Sequence, residues 1–121
     1  MTADQFRKLV LSFADTEERA HHGHPDFRVG GKIFATIGHP DQTRGMVQLT
    51  PEQQAEFMDD HPLVFSPAAG KWGLNGSTVV NLPKARKAVL KPAVEAAWKN
   101  AIAKAAKQAG TAKGRAAAQK R

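Results

Sequence analysis

Three of the five histidines, His21, His22 and His24, crowd one short stretch, with His39 and His61 further on. Imidazole is the commonest side-chain metal ligand. A zinc site on that cluster would need a fourth ligand and tetrahedral geometry. The chain offers no cysteine and no His-Glu-x-x-His pair. In a strand, His21 and His22 would point to opposite faces. A structural or surface role therefore outweighs metal binding, and neither a metal nor a cofactor is expected. His24-Pro25 reads better as a turn that aims Phe27 and Val29 into a sheet. The serines, Ser12, Ser66 and Ser77, stand in no Gly-x-Ser-x-Gly elbow. The carboxylate pairs Glu17-Glu18 and Asp59-Asp60 are sequence neighbours, which rarely converge on one substrate, so solvated surface charge is the expected reading. Gly30-Gly31 is no phosphate loop, because no helix N-terminus follows it at the required spacing. Enzyme activity is not expected.

The chemistry that stands out is charge. The 121 residues carry a formal +7, unevenly distributed. Residues 1–83 hold seven Lys/Arg against ten Asp/Glu, a net −3, whereas residues 84–121 hold eleven Lys/Arg against Glu95 alone, a net +10. A mildly acidic body with a strongly basic end points to a polyanionic partner, nucleic acid first and an anionic membrane surface second. The competing reading is a tail that only aids solubility. Lys99, Lys104, Lys107, Lys113, Arg115, Lys120 and Arg121 could neutralise several phosphates, giving sequence-independent binding that falls steeply with salt. In the body, His39, Gln42, Thr43 and Arg44 suit one loop tip, and Lys71 and Trp72 between Gly70 and Gly76 suit a second, with Arg28 and Lys32 on a hairpin nearby. Against this, Trp72 could be core or half-buried, and Arg44 and Lys71 ordinary surface charge. No residue stands out as a reader of base edges; Gln42, Gln48 and Asn75 are not distinguished from their neighbours.

These residues need elements to position them. Thr2 with Gln5 makes a capping box, and Phe6, Leu9, Val10 and Phe13 form the stripe of a helix packed on one face. Asp26–Val29 and Lys32–Ile37 flank Gly30-Gly31, which predicts a hairpin. In that register Val29 faces Lys32 and Phe27 faces Phe34. An earlier strand is expected over Glu18–His22 and a later one over Met46–Leu49. Thr50, Pro51 and Gln53 open a second helix that should stop near Asp60, before Pro62. Leu63-Val64-Phe65 is a short apolar segment ended by Ser66-Pro67. Lys71–Leu74 and Thr78–Leu82 read as a strand or hairpin bent at Asn75-Gly76. Pro83–Leu90 reads as a short helix, and Pro92 as the start of a longer one with Val94, Ala97, Trp98, Ala101, Ile102 and Ala105 on its apolar side. The expected class is α+β: an antiparallel sheet of about five strands with helices on one side. Residues 1–108 form the domain; residues 109–121, rich in Ala, Lys and Arg without a large apolar side chain, read as a basic, flexible tail.

The run Gly23-His24-Pro25-Asp26-Phe27-Arg28-Val29-Gly30-Gly31-Lys32-Ile33-Phe34-Ala35-Thr36 resembles the signature of the MmcQ/YjbR family, in which His-Pro-x-Phe-Arg-Val runs into a Gly-Lys-x-Phe-Ala hairpin. The likeness continues at Leu49–Gln54, at Gly70-Lys71-Trp72-Gly73 and around Leu90 to Trp98, over roughly residues 3–105. The resemblance implies a YjbR-like fold, similar to that of type III secretion chaperones and CyaY-like proteins, and a double-wing DNA-binding role. It supplies no catalytic residues. The function expected is thus non-catalytic, non-specific binding of nucleic acid through phosphate contacts. The alternative is a protein-interaction, chaperone-like module, able to homodimerise, with an apolar sheet face lined by Met46, Val79 and Leu82. No membrane segment and a cytoplasmic location are expected, from the lack of a long apolar run or a leader pattern at the N-terminus.

Overall fold

The structure, a computed structural model, describes the backbone of all residues but His22, Pro40 and Arg121, and the side chains of the rest except His21 and residues 109–120. Two helices begin as their sequences dictate. Thr2 Oγ1 accepts from the Gln5 N–H at 3.1 Å while Gln5 Oε1 accepts from the Thr2 N–H at 2.9 Å, opening α1 (Ala3–Leu11). Thr50 and Gln53 repeat the arrangement at α2 (Pro51–Asp60), with Pro51 in the first turn, where its missing N–H costs no helical bond.

The strands are β1 (Glu17–His21), β2 (His24–Val29), β3 (Lys32–Ile37), β4 (Arg44–Gln48), β5 (Phe65–Pro67) and β6 (Ser77–Asn81). They form one antiparallel sheet of order β1-β2-β3-β4-β6-β5, six strands where about five were expected. Alternation sends Phe27, Val29, Ala35, Val47 and Val80 to one face, where they pack with α1 and the long α4 (Lys87–Lys120). Helix α4 contributes Leu90, Ala93, Val94, Ala97 and Ala101 to this core. The alanines let its axis lie close to the sheet, while Phe6, Phe27, Phe34 and Phe65 supply the volume. Truncating one of these buried phenylalanines to alanine costs about 3–5 kcal/mol in typical cores. Among the described residues, no helix is long and apolar enough to cross a membrane.

Several local expectations are corrected. Val29 does face Lys32, but Phe27 faces Ala35 rather than Phe34. The register shifts between Phe27 and Arg28, leaving Phe34 as the extra residue of a bulge. The bulge lets the adjacent residues Phe34 and Ala35 both enter the core, which strict alternation forbids. Lys71–Leu74 is not a strand but part of a one-turn helix, α3 (Gly70–Leu74). Its Gly73 lies against the Ala68 backbone, where a Cβ would collide, and Gln54 Nε2 donates to the Gly73 carbonyl at 3.1 Å. The same amide reaches the Ser77 carbonyl and Thr78 Oγ1, both at 3.1 Å, so one α2 side chain pins α3 to the sheet. In place of a short helix over Pro83–Leu90 there is a 3-10 turn at Leu82–Lys84, then α4. Pro92 lies inside α4 rather than at its start. The N–H it lacks would have met Ala88, an exposed residue whose carbonyl water can satisfy.

The β2–β3 turn also meets α4. Gly30 has φ of +59°, and a Cβ there would stand 2.6 Å from Ala105 Cβ, whereas Gly31, at φ +80°, faces open space. Both Gly→Ala changes strain the backbone, but only Gly30→Ala also drives the hairpin off the helix. In urea titrations we expect Gly31→Ala to cost about 1 kcal/mol. Gly30→Ala should cost about 1–3 kcal/mol more. Equal losses would contradict this packing.

Candidate nucleic-acid interface

The sheet face away from α4 is left open. Alternation places Asp26 and Arg28 of β2, Thr36 of β3, Arg44, Met46 and Gln48 of β4, and Ser77 and Val79 of β6 on that side. All of these but Arg28, together with the segments before α3 and the β3–β4 loop, border a groove of about 900 Å³. Met46 and Val79 are cross-strand partners and form an apolar floor. One end of the groove carries His24, His39 and Arg44; the other carries Trp72 with Ser77 and Gln48. Ser77 Oγ donates to Gln48 Oε1 at 2.8 Å, which fixes both side chains.

The charges on this face are not equivalent. Arg28 forks onto Asp26, Nε to Oδ1 at 2.8 Å and Nη2 to Oδ2 at 3.2 Å. The Asp26 side chain is almost wholly buried and that of Arg28 one-quarter exposed. The hydrogen bond to Asp26, with added attraction from Asp26 and Glu17, raises the Arg28 guanidinium above its ordinary value despite some desolvation. Glu17 lies across from Arg28 and Arg19 across from Asp26, with Arg19 in turn bridging Glu17 at 3.1 Å. This end of the sheet is a neutral checkerboard of two acids and two bases. Arg44 differs. Its Nη1 donates to Thr43 Oγ1 at 2.6 Å and to Asn81 Oδ1 at 3.3 Å, uncharged acceptors that orient the guanidinium. Nearby Asp41 is turned into its own loop, where the Thr43 hydroxyl and N–H, with a smaller attraction to Arg44, hold its carboxyl below the usual range despite some desolvation. Those two bonds are at full strength above the ordinary carboxylate range, and weaken only as pH falls through the lowered value.

The structure places the remaining candidates apart. Lys32 follows the Gly30–Gly31 turn, and Lys71 is exposed on α3 beside Trp72. Lys99, Lys104 and Lys107 are exposed on α4, which packs on the other side of the sheet; Lys99 bridges Glu95 at 3.1 Å. The side chains of Lys113, Arg115 and Lys120, and all of Arg121, lie outside the described residues. The two predicted loop tips do flank one groove, through His39 and Arg44 on one side and Trp72 on the other. Trp72 is 71% exposed, neither core nor half-buried. Leu82, expected on the apolar face, is buried in the core. The Asp26–Arg28 fork was missed in the sequence, though their i, i+2 spacing in a strand puts both on one face. The histidine cluster falls partly outside the described residues at His21 and His22; His24 instead faces His39, ring centroids 6.2 Å apart. Among the described residues, no group of three or more His, Asp or Glu is arranged to hold a metal ion. Of the carboxylate pairs, Glu17 and Glu18 are bridged to Arg19 and Arg7, respectively.

Comparison with known proteins gives this arrangement a family. The YjbR family model matches residues 11–100, from the end of α1 through the first half of α4. The chain belongs to the YjbR family. The YjbR fold is also seen in the crystal structure of Deinococcus radiodurans protein DR2400, which carries the domain DUF419. That structure superposes with a TM-score of 0.65 at 18% identity, over 80% of this chain and 75% of the other. Among curated proteins, none matches. The shared span includes the whole sheet and its groove, whereas residues 101–121, with six of the Lys/Arg, lie beyond the YjbR match.

The fork predicts a non-additive response. Arg28→Met leaves a buried carboxylate without its partner, and Asp26→Asn leaves the guanidinium with a weaker acceptor. Each should lower the thermal midpoint by several degrees, and the double substitution by less than the sum of the two. Strictly additive losses in differential scanning calorimetry would contradict the pairing.

Proposed function

We propose that this YjbR protein is a non-catalytic nucleic-acid-binding protein, held to phosphates chiefly by its C-terminal segment and secondarily by the open sheet face. The observation that carries the reading is the charge partition: +10 over residues 84–121, with eight of the eleven cations inside the helix Lys87–Lys120 and Glu95 as its only acid. A helix with that excess repels itself unless a polyanion is near, and each phosphate it neutralises releases condensed counterions. On the body, Arg44 adds a cation oriented by neutral groups, while Arg28 is already committed to Asp26. The binding would be non-specific, as phosphate contacts carry no sequence information. No membrane partner is proposed.

A second reading, a protein-interaction module that pairs with itself or holds another chain, is favoured by three large exposed apolar residues, Leu63, Trp72 and Leu74. Sedimentation showing a monomer at all concentrations, with no partner retained, would remove it.

The charge reading is tested by mobility shift across a salt series, comparing the protein with a variant carrying K113Q, R115Q, K120Q and R121Q. The protein should bind mixed-sequence DNA at low salt, and the variant's log–log salt slope should be shallower by up to about 3–4 on duplex DNA. No binding in dilute buffer, or an unchanged slope in the variant, would contradict it.

A further inference from the structure

Resting on the nucleic-acid reading above, we infer that the open sheet face takes a single strand, with a base stacked on Trp72 and a backbone phosphate at Arg44. Trp72 is 71% exposed and borders the groove, so its ring is open to a ligand lying there. Its indole offers a face on which any base can stack, which is the basis of sequence-tolerant single-strand binding. A duplex hides its base faces inside the stack and could not use this residue in that way.

The floor fits the same occupant. Met46 and Val79 present apolar and polarisable surface between the two ends. Ser77 and Gln48 lie near the Trp72 end, already bonded to each other and so fixed in position. At the far end the hydrogen bonds of Arg44 to the described residues, Thr43 Oγ1, the Thr43 carbonyl and Asn81 Oδ1, all run through Nη1, which leaves Nε and Nη2 to a ligand. Arg44 and Gln48 are the first and last residues of β4, about 13 Å apart along the strand. A stacked base and its own phosphate lie closer together than that, so consecutive nucleotides are needed to reach both ends. Charge complementarity points the same way: the Asp26–Arg28 pair is neutral, whereas Arg44, among the described residues, hydrogen-bonds only to uncharged groups.

The test is an anisotropy titration of a dye-labelled short oligothymidylate, and of a labelled duplex of equal phosphate number, with the full chain, the tryptophan emission of the parent being followed alongside. Trp98 donates its Nε1–H to the Ala14 carbonyl at 2.9 Å and packs on Phe13, so it is an internal reference apart from the groove. Trp72→Ala should weaken oligothymidylate binding about ten- to hundredfold while leaving duplex affinity unchanged. Trp72→Phe should retain most of the affinity. Arg44→Gln should lower the single-strand salt slope by about 0.7. Circular dichroism of each variant checks that the fold persists, as expected for an exposed position. If Trp72→Ala binds oligothymidylate as tightly as the parent while duplex binding persists, the groove inference falls and the charge reading stands. If neither polymer binds, both fall. If a polyglutamate peptide binds in a Trp72-dependent way and oligothymidylate does not, the groove is a site for acidic peptides and the inference is overturned.

Discussion

The structure depends on the seating of α4 against one face of the sheet. Ala93, Ala97 and Ala101 let the helix approach, Leu90 and Val94 share one core with Phe27, Phe34 and Val47, and the hairpin turn at Gly30 closes on Ala105. Burial of this apolar surface is the main favourable term available to a chain of this size, which has no disulfide to supplement it. The same seating determines what is left over. With both α1 and α4 on one side, the residues that alternate away from them have no covering layer among the described residues. The groove over Met46 and Val79 is thus a direct consequence of how the core is made.

That division also sorts the cations. Arg28 and Arg44 project from the open face, whereas Lys99, Lys104 and Lys107 sit on the helix that covers the other. Among the described residues, these cations do not converge on one surface. A polyanion held by the C-terminal segment and one lying in the groove would meet different sides of the molecule, linked around the β2–β3 hairpin where Lys32 stands next to the turn that touches α4. Long-range attraction would be supplied by the helix, and short-range selectivity by the groove. Neither role needs a catalytic group, and the polar residues of the open face are largely bonded to one another.

Much of the fold was legible because the signals are local. Both capping boxes use residues three apart, so Thr2–Gln5 and Thr50–Gln53 announce their helices without reference to anything distant. The hairpin at Gly30-Gly31 is likewise a two-residue signal. What was not legible depends on contacts between distant residues. The bulge at Phe34 arises because the core needs two adjacent side chains, which no alternation pattern encodes. Helix α3 is specified by Gln54 and Ala68 packing around Gly73, not by its own five residues. The insertion of β6 between β4 and β5 leaves no local trace. In the candidate site, Arg44 and Trp72 were visible as residue types at loop ends. Only the structure shows that they bound one groove, that Trp72 is exposed, and that Arg28 is neutralised by Asp26.

The most direct test of the account is an amide NMR titration of the uniformly labelled full chain with an unstructured oligonucleotide in dilute buffer. The account predicts shifts that reverse on adding salt, along α4 beyond Leu90 and, on the opposite face, at Arg44, Met46, Val79 and the Trp72 indole. A spectrum unchanged at saturating oligonucleotide would contradict it.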